Sequence, residues 1–177
     1  MRGSKARTRS LAATIVLTLA VSVGAAAGAS PAAAAQPVVT TVDGPARLWN
    51  KAGAGCLVPD SQHNVYAWSG CGSFNDQLWY RESSGVGFRF RNYVVVDHCL
   101  RPVNTQNNAQ LIVWPCGDTG FYFWGPIQDQ DFYYRLQNHA SGYCALAQNT
   151  SAASDPAIQW TCNSNFADQW WKFSVSQ

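Results

Sequence analysis

Few side chains in this 177-residue chain could do covalent chemistry, and none is placed for it. Asp118-Thr119-Gly120 spells the D-T-G of aspartic proteases, but that reaction needs two aspartates sharing one proton, and a single copy is present. Asp129 and Asp131 have the residue type of a glycosidase pair. Hydrolysis, however, requires carboxylates facing each other across a sugar bond, and two at i, i+2 in a polar connection point into solvent. His63, His98 and His139 share no period, no C-x-x-C occurs, and neither G-x-S-x-G, H-E-x-x-H nor a phosphate-cradling glycine loop is present. The expectation is a protein that is not an enzyme and holds no metal or cofactor. What the chain offers instead is non-covalent chemistry: eight tryptophans among many Asn, Gln, Ser and Gly. Aromatic faces take up apolar C–H surface, and amides and carboxylates beside them supply hydrogen bonds.

The elements that position these residues repeat three times. The first cysteine of each copy is Cys56, Cys99 or Cys144, at spacings of 43 and 45, and the second is Cys71, Cys116 or Cys162, at 45 and 46. Trp68, Trp114 and Trp160 stand just before the second cysteines, and Trp79, Trp124 and Trp171 follow them. Arg47-Leu48-Trp49-Asn50, Arg89-Phe90-Arg91-Asn92 and Arg135-Leu136-Gln137-Asn138 lead in as R-x-x-N. Within each copy, short apolar runs such as Val65–Trp68, Leu111–Trp114 and Ala157–Trp160 read as strands, separated by turn clusters such as Ser83-Ser84-Gly85. No stretch has a convincing helical period. Three copies of about four strands predict a closed threefold β architecture, since closure removes sheet edges. If each copy is one structural unit, the cysteines pair as Cys56–Cys71, Cys99–Cys116 and Cys144–Cys162. Each bridge would then be worth up to about 3 kcal/mol in the chain-entropy model.

Ahead of the repeats, Arg2, Lys5, Arg7 and Arg9 precede an apolar run from Leu11 to Val23 and a tract ending in Ala33-Ala34-Ala35. That order reads as a secretory signal peptide over 1–35, too short to span a membrane comfortably. Residues 36–44 read as a short linker, and 45–177 as the folded domain. Without the leader, ten acidic residues face eight basic ones, a net charge of −2. No basic face is visible, which argues against a nucleic-acid partner. The expected protein is secreted, has no membrane span after signal cleavage, and carries six cysteines suited to an oxidising environment. Asn149-Thr150-Ser151 would matter as a glycan acceptor only in a eukaryotic secretory pathway.

These residues resemble the ricin B-type (R-type) lectin repeat. Gln77-Leu78-Trp79 and Gln169-Trp170-Trp171 look like its Q-x-W signature, Cys56-Leu57 and Cys99-Leu100 like the start of its C-L-D element, and Trp114-Pro115-Cys116 like its W-P-C. Ser141-Gly142-Tyr143-Cys144 is similar to its S-G-x-C approach, and Tyr122-Phe123-Trp124 departs from the pattern in the middle copy. The resemblance runs from about residue 45 to the end and implies an all-β fold, a β-trefoil of three repeats. It also implies that Trp79, Trp124 and Trp171 pack in the core, while Trp68, Trp114 and Trp160 match the position of an aromatic platform for a sugar ring. Core packing is the rival reading of those three platforms.

In the family an aspartate two residues after the first cysteine accepts hydrogen bonds from the sugar; here Val58, Arg101 and Leu146 stand there. Nearby carboxylates are the candidate substitutes. The third repeat ranks first, with Trp160, Asp155, Asp168 and Gln169; the first ranks second, with Trp68, Asp60, Asp76 and Gln77; the middle one, with Trp114, ranks last. The implied function is a secreted, non-catalytic carbohydrate-binding module for a glycan or polysaccharide. The alternative is a protein-binding trefoil, such as a toxin-subunit or inhibitor module, because one fold serves several functions.

Overall fold

The structure is a computed structural model and describes residues 39–53, 55–128, 131–148 and 154–175. The expected signal peptide, Asp129 and Asn149-Thr150-Ser151 lie outside the described residues. Twelve strands follow in order: β1 (Val39–Asn50), β2 (Cys56–Pro59), β3 (Val65–Trp68), β4 (Trp79–Ser84), β5 (Gly87–Asn92), β6 (His98–Pro102), β7 (Leu111–Pro115), β8 (Trp124–Gln128), β9 (Tyr134–Asn138), β10 (Cys144–Ala147), β11 (Ser154–Trp160) and β12 (Trp170–Ser174). The only helical pieces described are three 3₁₀ turns, at Asn75–Gln77, Gly120–Tyr122 and Ala167–Gln169.

Pairing sorts the strands into two layers. Strands β1, β4, β5, β8, β9 and β12 pair antiparallel in that order, and β12 returns to β1, closing a barrel. The remaining strands form three hairpins, β2–β3, β6–β7 and β10–β11. The hairpins touch one another through β3–β11 pairing and the bridges Asn64–Ile112 and Gln110–Ile158. A six-stranded barrel capped by a triangle of hairpins is the β-trefoil.

Alternation explains what faces inward. In the R-x-x-N segments Leu48, Phe90 and Leu136 are buried, and so, two residues later, are Asn50, Asn92 and Asn138. The core gathers Leu57, Leu100, Val65, Leu111 and Val113 around Trp79, Trp124 and Trp171, whose indoles have no solvent exposure. Each indole N–H donates to the carbonyl of the residue after a first cysteine: Trp79 to Leu57 at 3.0 Å, Trp124 to Leu100 at 3.2 Å, and Trp171 to Ala145 at 2.9 Å. A buried N–H without a partner would cost about 1–3 kcal/mol, so these bonds make tryptophan tolerable at the centre. The cysteines are joined as Cys56–Cys71, Cys99–Cys116 and Cys144–Cys162.

One expected boundary needs correcting. Residues 39–43 are not linker but the first half of β1, with Val39 opposite Ser84 and Asp43 opposite Arg81. The physical reason is closure: without this stretch β4 would lack a partner along that edge. The Asp43 carboxylate accepts from Arg81 Nη2 at 2.7 Å.

Candidate binding pockets

Strand alternation also carries one tryptophan of each repeat outward. On β3, Val65 and Ala67 are buried while Trp68 is 43% exposed; its equivalents Trp114 and Trp160 are 51% and 37% exposed. The platform tryptophans therefore present surface, unlike the fully buried set one turn of loop later. Gly55 helps fix this geometry. It has φ +94°, and a Cβ there would collide with the Trp68 carbonyl.

After each platform tryptophan the chain passes the second cysteine and enters a 3₁₀ turn that faces the hairpin. In the first repeat this leaves a cavity of about 450 Å³ lined by Val58, Tyr66, Trp68, Phe74 and Asp76, among others. In the third it leaves one of about 260 Å³ lined by Leu146, Ile158, Trp160, Phe166 and Asp168. Position by position the two match. Both have an aromatic on each side, Trp68 with Phe74 and Trp160 with Phe166, and a carboxylate from the 3₁₀ turn. Neighbouring repeats contribute at the rim: Ser154 reaches the first pocket and Asn108 the third.

The two carboxylates are held in unusual surroundings. Oδ1 of Asp76 and Oδ1 of Asp168 are shielded from solvent and, among the described residues, accept no hydrogen bond. Burial pushes the Asp168 carboxyl above the ordinary aspartate range, partly offset by a backbone hydrogen bond. Their backbones are fastened from the next repeat in the ring. Asn92 Nδ2 donates to the Asp76 carbonyl at 2.9 Å, and Asn50 Nδ2 to the Asp168 carbonyl at 2.8 Å. Asn138 does the same for Phe121 in the middle repeat, at 2.8 Å. The R-x-x-N asparagine thus positions the site of a different repeat.

The remaining sequence candidates are placed differently. Gln77, which also lines the first pocket, and Gln169 are buried and staple the loop around the second cysteine. Gln77 accepts from Gly72 N at 2.9 Å and donates to Gly70 O at 3.3 Å; Gln169 accepts from Asn163 N at 2.7 Å and donates to Thr161 O at 2.9 Å. Asp60 lines the first pocket, but its Oδ1 accepts from the Gln62 and Asn64 amides at 2.8 Å, so it serves the β2–β3 turn. Asp155 is corrected more firmly. It is buried on β11 opposite Ala67 and is not part of the third pocket's lining, because strand alternation turns it away from the Trp160 face. Asp118 of the D-T-G accepts from Arg89 at 3.0 Å, as a surface ion pair.

In the middle repeat Trp114 is exposed, yet Phe121 stands where Asp76 and Asp168 do. The Arg101 guanidinium lies 4.7 Å from the Phe121 ring and 5.4 Å from Tyr122, with Nη1 3.4 Å from the Tyr122 hydroxyl. Arg101 fills the position that Val58 and Leu146 leave open. The sequence reasoning missed Phe74 and Phe166. The signal was present, since the two pocket-forming repeats share the longer motif F-x-D-Q-x-W, which the middle one lacks.

No protein-family model and no curated protein matches the chain. Solved structures do resemble it. The designed threefold-symmetric protein ThreeFoil superposes with a TM-score of 0.68 at 20% identity, covering 75% of this chain and 99% of that one. A ricin B-like lectin from Macrolepiota procera, solved in complex with lactose, gives 0.66 at 12% identity over 77% of this chain and 99% of its own. The Haemophilus ducreyi cytolethal distending toxin gives 0.62 at 17% identity, over 73% of this chain and 82% of that chain. At these identities the likeness speaks for architecture alone, and with the barrel, the hairpin triangle and three disulfides it makes this chain a β-trefoil.

Proposed function

We propose that the chain is a secreted, non-catalytic carbohydrate-binding module of ricin B type, with working pockets in the first and third repeats. The observation that carries this reading is the pair of matching pockets, each lined by two aromatic side chains and a carboxylate. A pyranose presents an apolar C–H face to Trp68 or Trp160 and hydroxyl donors to Asp76 or Asp168. Such contacts are worth about 0.5–1.5 kcal/mol for the ring face and about 1.5–3 kcal/mol for a charge-assisted hydrogen bond. One pocket alone therefore supports a complex near the millimolar level, about −4 kcal/mol, and two pockets on one polymer gain by avidity. The family's acceptor sits on the hairpin; here it comes from the opposite wall, so the sugar held is not assumed to be galactose.

The test is a broad screen of glycans and polysaccharides with the oxidised protein, followed by variants. Trp68→Ala and Trp160→Ala should each weaken binding about ten-fold, the double variant should abolish it, and Trp114→Ala should leave it intact. A folded protein that binds no glycan would sink the reading and turn the search to protein partners. The Haemophilus toxin makes that second reading concrete, since a trefoil of this shape belongs to a toxin there.

A further inference from the structure

Arg47, Arg89 and Arg135 hold the same position in the three repeats, but only two are committed to the fold. Arg47 Nη2 donates to the Gly72 carbonyl and Nε to Gln77 Oε1 at 3.3 Å. Arg89 Nη1 donates to the Gly117 carbonyl at 3.1 Å, and Nε to Glu82 at 2.7 Å. Gly72 and Gly117 each follow a second cysteine, so these arginines brace their own disulfide loops. Arg135 makes no such bond. Among the described residues it donates to nothing, its Nε is shielded without a partner, and its guanidinium lies 5.0 Å from the Trp170 ring. The reason is in the sequence: Trp170 stands where the other repeats have Leu78 and Phe123, after a loop one residue longer.

Two more cations gather on the same aromatics. Lys51 Nζ lies 5.3 Å from the Tyr133 ring and 5.8 Å from Trp170, and Lys172 Nζ lies 5.9 Å from Tyr133. Asp131, whose side chain is largely exposed, lies 3.6 Å from Lys51. Beyond the leader the chain has a net charge of −2, so a cluster of three cations runs against its average.

We infer that Arg135, Lys51 and Lys172, set on Trp170 and Tyr133, form a second kind of site that takes the anionic substituent of an acidic polysaccharide. Stacking on an indole fixes the guanidinium plane and leaves its edge for a planar or tetrahedral oxyanion, while the lysines supply point charge. The site shares a loop with the third pocket. Asp168 lines that pocket, and Trp170, two residues on, donates to Ser164 O at 3.1 Å in the loop that carries Phe166. A chain with one ring on Trp160 thus meets a charged anchor across a single loop. The polysaccharide part of this inference rests on the proposed carbohydrate function; the anion part does not.

The experiment compares binding of the oxidised protein to heparin, to polygalacturonate and to carboxyl-reduced polygalacturonate, at low and raised salt. At least one acidic polymer should bind about ten-fold tighter than the neutral one, with the advantage fading as salt rises. Heparin leading identifies sulfate as the preferred group, and polygalacturonate leading identifies carboxylate. Arg135→Gln should erase the advantage, Arg135→Lys should keep part of it, and Lys51→Ala with Lys172→Ala should erase it without touching the partly buried guanidinium. Trp68→Ala with Trp160→Ala should do the reverse, removing neutral binding and sparing the acidic preference. Equal affinity for all three polymers, or an acidic preference unmoved by the Arg135 and lysine variants, overturns the inference. Loss of neutral binding alone counts against the pockets only.

Discussion

Among the positions that line the first and third pockets, the second repeat has Arg101 in place of Val58 and Leu146, Phe121 in place of Asp76 and Asp168, and Thr119 in place of Phe74 and Phe166. Where Val58 or Leu146 stands two residues after the first cysteine and Asp76 or Asp168 lies in the 3₁₀ turn, the space between stays open. Where Arg101, Phe121 and Tyr122 take those places, a guanidinium stacked on two rings occupies it. The barrel beneath is unaffected, because Trp79, Trp124 and Trp171 make the same hydrogen bond in every repeat. Scaffold and site are therefore separable here. The core obeys the threefold symmetry, and the surface has departed from it in one copy.

The sharpest way to break this comparison is in the core. Trp79→Ala, Trp124→Ala and Trp171→Ala should each cost about 3–5 kcal/mol, a large part of a typical domain's 5–15 kcal/mol, and to a similar extent. Denaturant unfolding measures this, and a mild Trp124→Ala would mean that the middle repeat differs beneath the surface too.

Next in size is an attempt to restore the missing pocket. Arg101→Leu, Thr119→Phe, Phe121→Asp and Tyr122→Gln together should create a third site whose glycan binding survives Trp68→Ala with Trp160→Ala and is lost on adding Trp114→Ala. Retained folding without new binding would show that more than these four positions separates the repeats.

A smaller effect concerns Asp168. Its folded pKa is raised, so the native state holds its proton to higher pH than the unfolded chain does, and ionising it costs stability. Asp168→Asn should weaken binding yet raise the melting temperature at neutral pH. That gain should shrink as pH falls through the window between the raised value and the ordinary one, about 3.9, and vanish below it. A melting temperature lowered by Asp168→Asn at neutral pH would contradict the strained-carboxylate picture.

The smallest is a matched glycine pair. A Cβ on Gly70 meets the Trp68 indole, whereas one on Gly72 has its nearest neighbour at 3.8 Å. Gly70→Ala should therefore reduce first-pocket affinity several-fold, with stability nearly unchanged and Gly72→Ala silent, as titration of both variants would tell.

Much of this was legible from residue spacing. A register kept over three copies announced the barrel and hairpins, and the Q-x-W tryptophans could be told from the platform tryptophans by their place relative to the second cysteine. The failures were of two physical kinds. Asp155 has the right type near the right tryptophan but faces inward, while Asp60 does line the first pocket with one oxygen engaged by turn amides, and neither strand facing nor hydrogen bonding is written in residue type. Residues 39–43 resembled linker because a strand half-formed from Val, Thr and Asp gains its reason only from β4, some forty residues on. Phe74 and Phe166 are written in the shared F-x-D-Q-x-W, but residue type does not say that a loop phenylalanine walls a pocket instead of joining the core.

The asparagine relay bears on how such a protein could have begun. Asn50 secures the loop of the third repeat, Asn92 that of the first and Asn138 that of the second, so no pocket belongs wholly to the repeat whose residues line it. A primitive gene encoding one copy would have produced a peptide with a pocket wall but nothing to anchor it. Only three repeats together close the ring, so the full set of three is the smallest unit in which every loop has its asparagine anchor.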